Sequence, residues 1–167
     1  TVPLGPQPPA PGTVSPASGA GYSQTFTATY TDANGATDIT GAYLLVNSQV
    51  RADAGCFVFY NRAANTVQLL NDAGTVWSGA LSPGGGSLAN SQCSLSGVGF
   101  AGSFSGNTLT VVLPVTFSSA FAGSKNIYLL AVDSTGNNSN WSAKGVWTVP
   151  AANQPPVPTS ISPGSGS

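Results

Sequence analysis

The chain has 167 residues, a length that suits one domain with short extensions. It carries four Lys and Arg against five Asp, with no Glu and no His, for a net charge of −1. That balance excludes a basic nucleic-acid footprint, a His-based triad and a His/Cys zinc site, while 41% hydrophobic residues are enough for a core.

The two ends of the chain match each other. Residues 1–20, TVPLGPQPPAPGTVSPASGA, align without gaps with residues 148–167, TVPAANQPPVPTSISPGSGS. The offset is 147, and eleven of the twenty positions are identical. Shared Pro/Ser bias is the simpler explanation, but it does not account for a gapless register that includes both Thr-Val-Pro and the later Ser-Pro-x-Ser-Gly. The match predicts whole domains strung like beads, each with its own core. Residues 1–11 then read as the tail of a preceding unit and its linker, 12–149 as the unit, and 150–167 as the next linker and the start of another unit. The proline runs at 3–11 and 150–158 favour polyproline II, a semi-rigid spacer. Val2, Pro8, Pro9, Val14, Pro155, Pro156 and Ile161 are the expected contacts between units.

Between the linkers the hydrophobic period is two. Pro11–Ser15 is expected to open the unit as a strand. Gln24–Thr31 (QTFTATYT) alternates Phe26, Ala28 and Tyr30 with threonines, as a half-buried strand does. Asp32–Asp38 (DANGATD) is a loop with an Asn-Gly turn signal. Ile39–Val46 reads as the next strand, and Cys56–Tyr60 with Thr66–Leu70 as a hairpin. Residues 82–92 (SPGGGSLANSQ) read as a flexible loop, and 93–104 as one or two short strands. Thr108–Phe117 is a strong strand run, and Pro114 within it predicts an edge or a bulge. Asn126–Val132 and Val146–Val149 close the unit. Ser118–Gly123 is at most one helical turn. No apolar run reaches the 18 residues a membrane helix needs. Short strands separated by turns indicate an antiparallel β-sandwich.

FTATYTDANG at 26–35, and above all AVDSTGNNS at 131–139, resemble bacterial immunoglobulin-like or fibronectin-type-III-like repeats of long secreted and surface proteins. The resemblance covers most of residues 8–150. It implies an immunoglobulin-like sandwich used as a modular, non-enzymatic building block. The CFVFYNRAANTVQLLND hairpin and the Gly-rich 82–106 region then stand as insertions.

Few residues could carry chemistry. Cys56 and Cys93 are the only cysteines, and in a secreted chain an intrachain disulfide is their natural pairing. Asp32, Asn34 and Asp38 lie in one loop, and Asp133 and Asn137 in another that a sandwich can bring to the same end. Together they could supply oxygen donors to calcium. The same residue types equally cap turns by bonding their own backbone. Tyr43, Tyr128 and Trp147 lie in strands and are expected in the core. Trp77 and Trp141 lie beside turns and are candidates for a ligand-contact surface, carbohydrate included.

Two functions follow as expectations. The first is a structural repeat of an extracellular or cell-surface fibre, stalk or adhesin shaft, whose partners are neighbouring copies of itself. The second is a carbohydrate- or surface-binding accessory module, which an exposed aromatic row on one sheet face would favour. With no Glu or His and with its Asp residues in turns, the chain offers no evident acid/base pair for an enzyme.

Overall fold

A computed structural model describes residues 4–152, so Val2, Pro155, Pro156 and Ile161 lie outside the described residues. Wherever the sequence alternates, strands form, and twelve of them build two sheets. In the first sheet the order is β1 (Ala10–Ser15), β3 (Ser23–Thr31), β10 (Thr108–Phe117), β8 (Cys93–Ser96) and β7 (Ser87–Ala89). Strand β9 (Ala101–Ser105) also pairs with β10. The second sheet runs β2 (Ser18–Ala20), β12 (Ser142–Val149), β11 (Gly123–Asp133), β4 (Ile39–Asn47), β5 (Cys56–Asn61) and β6 (Thr66–Leu69). All pairings between these strands are antiparallel except the short parallel ladder of β12 with β2. The result is an all-β sandwich. Among the described residues no helix is long and apolar enough to cross a membrane.

The core lies between the sheets. Phe26, Ala28 and Tyr30 of β3 and Leu109, Val111 and Leu113 of β10 face Leu44, Val46, Val58, Ile127 and Leu129 of the other sheet, and all are buried. Trp147 of β12 closes one end, edge-on to Phe26 with centroids 5.3 Å apart, and its indole N–H donates to Gly21 O at 2.9 Å. Gly19 is required beneath that ring, since a Cβ there would meet Trp147 Cζ3 at 2.5 Å. Tyr30, buried on the same scale, donates its hydroxyl to Tyr43 O at 2.9 Å, and burial pushes that phenol far above its ordinary pKa.

Cys56 of β5 and Cys93 of β8 are joined by a disulfide with Cα atoms 5.7 Å apart, and there is no free cysteine among the described residues. The bond ties one sheet to the other. With the cysteines 37 positions apart in sequence, it contributes roughly 3–4 kcal/mol by restricting the unfolded chain.

Three expectations need correction. Pro114 lies in β10, a central strand, not at an edge. The ladder of β10 with β9 stops at Val112 and the ladder with β8 starts at Val115, so Pro114 sits where one neighbour hands over to the other and no donor is missed. Residues 82–92 are not simply a flexible loop. Ser87–Ala89 pairs with β8, the Gly84 N–H donates to Gly97 O, and the Gly97 N–H donates to Gly86 O. Asn90 fixes the rest: its Nδ2 donates to Gly55 O and Leu70 O, and its Oδ1 accepts from the N–H groups of Gln92 and Cys93. Tyr43 and Tyr128 are not core residues. Alternation turns both outward, where they are half-buried.

The sandwich has two poles. Asp133 pairs with Ile39, and Ala10 with Thr31, so the loop 32–38, the start of β1 and the end of β11 share the N-terminal pole. Val149 pairs with Gly123 at the opposite pole, where the Tyr22 hydroxyl donates to Ala151 O at 2.8 Å. The chain enters at one end and leaves at the other.

Candidate functional site

The outward face of the second sheet is aromatic. In β5 the run Cys56–Tyr60 is apolar at every position. Cys56, Val58 and Tyr60 point into the core, so Phe57 and Phe59 must point out. Tyr43 of β4 lies between them, at 5.9 Å from Phe57 and 4.9 Å from Phe59 by ring centroids. Gly41 leaves room for Phe59 to lie across β4, because a Cβ there would meet its Cε1 at 2.7 Å. Two loops add the tryptophans. Trp77 is placed by a bridge to Leu70 and by Ser78, whose N–H donates to Leu69 O. It stands edge-on to Phe57 at 5.3 Å. Trp141, just before β12, stands edge-on to the same ring at 5.4 Å.

Five rings therefore share one surface with Tyr43 at its centre. A shallow hollow between them is lined by Tyr43, Phe57, Trp77, Leu130, Asn138 and Trp141. The rings are half-buried by one another, which raises the Tyr43 phenol pKa. Among the described residues, neither the Trp77 nor the Trp141 indole N–H has a protein acceptor, so both donors remain for a ligand or water. Flat apolar rings with unengaged indole donors suit the apolar faces and hydroxyl rims of a sugar chain. Trp77 and Trp141 are the contact aromatics expected from the sequence; Tyr43, expected in the core, joins them on this face, and Phe57 and Phe59 were not foreseen. The signal lay in CFVFY, where apolar residues at both alternating positions mean that both faces of the strand are covered.

A second cluster lies at the N-terminal pole. Asp32, Asp38 and Asp133 each bring one carboxylate oxygen within 4.8 Å of the others. Asp32 and Asp133 are each 2% exposed. Each uses Oδ1 on its own turn: Asp32 accepts from Asn34 N at 2.7 Å, and Asp133 accepts from the N–H groups of Thr135 and Asn137 and from the Thr135 hydroxyl. The Oδ2 atoms of both are buried without a donor. Asp38 accepts from the Ser134 hydroxyl. Burial raises the Asp32 carboxyl above its ordinary range against the bond from Asn34, and the like charges of Asp38 and Asp133 push the same way. Burial also pushes Asp133 up, but the bonds from Thr135 and Asn137 outweigh it and leave that carboxyl below the usual range.

Asn34 and Asn137 come to this pole but are engaged elsewhere. Asn34 Oδ1 accepts from Gln7 N at 2.7 Å and its Nδ2 donates to Gly5 O at 3.1 Å, which pins the incoming segment. Asn137 Nδ2 donates to Thr135 Oγ1 at 2.9 Å. Of the described residues expected between units, Val14 belongs to this domain's own core at 3% exposure, Pro9 is buried and Pro8 is exposed. The reason is that the sandwich itself begins at Ala10, so residues 9–14 already pack as its edge.

No protein-family model matches the chain, and no curated protein matches it.

Proposed function

We propose that the domain is a structural repeat of an extracellular fibre, stalk or adhesin shaft, joined head to tail to similar units. The observation that carries this reading is the gapless match of residues 1–20 with 148–167. The placement of the ends supports it: a chain that enters one pole and leaves the other can be strung lengthwise without doubling back. The disulfide suits an oxidising exterior. A chain with 5% charged residues responds little to salt or pH, which suits a mechanical element outside the cell. Two units expressed in tandem at the 147-residue period should scatter X-rays as an extended rod. A compact, side-by-side dimer would contradict the reading.

The aromatic face favours a second reading, a carbohydrate- or surface-binding module. Sedimentation with insoluble polysaccharides tests it. Retention that Trp77→Ala and Trp141→Ala each abolish, with the fold intact by circular dichroism, would support binding through this face. Retention unchanged in both variants would contradict it.

A further inference from the structure

The chain has only five acidic residues, and three of them meet at one pole. Such convergence is unfavourable unless something offsets the repulsion. No Lys or Arg does so: among the described residues the one ion pair is Arg51 with Asp53, elsewhere on the surface. The turns do not explain the arrangement either. Capping engages Oδ1 of Asp32 and of Asp133 and leaves both Oδ2 atoms buried with no donor, on residues that are 98% covered. A buried carboxylate oxygen without a partner is costly to keep, and two in one cluster call for a shared cation.

We propose that Asp32, Asp38 and Asp133 bind a calcium-class divalent cation at the N-terminal pole. The donors are hard oxygens with no imidazole or thiolate among them, which selects for calcium or magnesium rather than zinc or copper. Two oxygens held by one calcium at about 2.4 Å lie no more than about 4.8 Å apart, and every pair among the three carboxylates meets that limit, so a small inward shift of the side chains is enough to close them on one ion. Magnesium, at about 2.1 Å, demands a tighter and more regular octahedron and keeps more of its water. Water and backbone carbonyls complete a coordination shell of six to eight. The cation fastens the 32–38 loop to the β11–β12 turn. The effect reaches the incoming chain through Asn34, whose N–H bonds Asp32 Oδ1 while its side chain holds Gly5 and Gln7. None of this depends on tandem repetition or on the aromatic face.

The test is thermal unfolding of the 167-residue chain in EDTA, in 10 mM CaCl2 and in 10 mM MgCl2, with calorimetric titration of CaCl2. Calcium should raise Tm by roughly 5 °C and bind one ion per chain, with magnesium giving less than half that shift. Asp38→Asn, which removes one ligand from a half-buried position, should weaken calcium binding at least tenfold. Asp32→Asn should abolish the response while melting in EDTA no lower than wild type, since its amide can donate toward Asp133. Asp72→Asn, remote from the cluster, should leave the response intact. A wild-type Tm identical in EDTA and calcium, or an undiminished calcium response in both Asp32→Asn and Asp38→Asn, would overturn the proposal.

Discussion

The two sheets share one core but turn opposite surfaces to the outside. The first presents hydroxyls: Thr29 faces outward beside Thr110, and Thr31 beside Thr108, with Ser103 and Ser105 of β9 on the far side of β10. The second presents Tyr43, Phe57 and Phe59 with Trp77 and Trp141 over them. Both faces come from the same two-residue alternation, so alternation alone builds the sandwich and the outward residues are free to differ. The hydroxyl face keeps water and adds little stability. The aromatic face takes rings partly out of water and adds some, while keeping enough surface exposed to meet a partner.

The covalent tie between these sheets should matter most. Replacing both Cys56 and Cys93 by Ala is expected to destabilise by roughly 3–4 kcal/mol, measured by guanidinium unfolding. A loss under about 1 kcal/mol would mean that packing alone holds the two sheets in place. Within the comparison, Tyr43→Ala removes the ring that four others contact and is expected to cost about 2 kcal/mol. The matching change on the other face, Thr110→Ala, should stay within about 0.5 kcal/mol. Equal effects would erase the distinction between the faces.

The smallest effect concerns the pole where the sheets end together. The Asp32 carboxyl is raised by burial, then by Asp38 and Asp133, so the folded chain holds that proton more tightly than the unfolded one. The stabilising contribution is complete below the ordinary Asp range and is lost as pH rises through the folded value. Asp32→Asn carries no charge at any pH. In EDTA at pH 7 it should be more stable than wild type, and the gap should close on acidification. A gap that widens toward acid would reverse the sign of the argument.

The strands were legible because their alternation is regular: QTFTATYT and TLTVVLPVTF gave their inward residues directly. The pairing of Cys56 with Cys93 was legible because no other cysteine exists. What was missed depends on partners distant in sequence. Tyr43 and Tyr128 looked like core residues because strand aromatics are commonly buried, and only the register shows that they turn outward. Residues 82–92 looked unstructured because their order comes from Asn90, which bonds carbonyls at 55 and 70. Pro114 suggested an edge because the sequence cannot show that two neighbours share one side of β10. At the pole, the meeting of the 32–38 loop with Asp133 followed from sandwich geometry, whereas the diversion of Asn34 to Gly5 and Gln7 did not.

The central claim is that the molecule's neighbours are further copies of itself. An eleven-residue strand spans roughly 35 Å, and the seven positions 150–156, which precede the next copy's equivalent of Ala10, add about 20 Å when extended as polyproline II. Electron microscopy of the full-length product should therefore show beads at a regular spacing of about 55 Å along a thread. Isolated single globules at every concentration would contradict it.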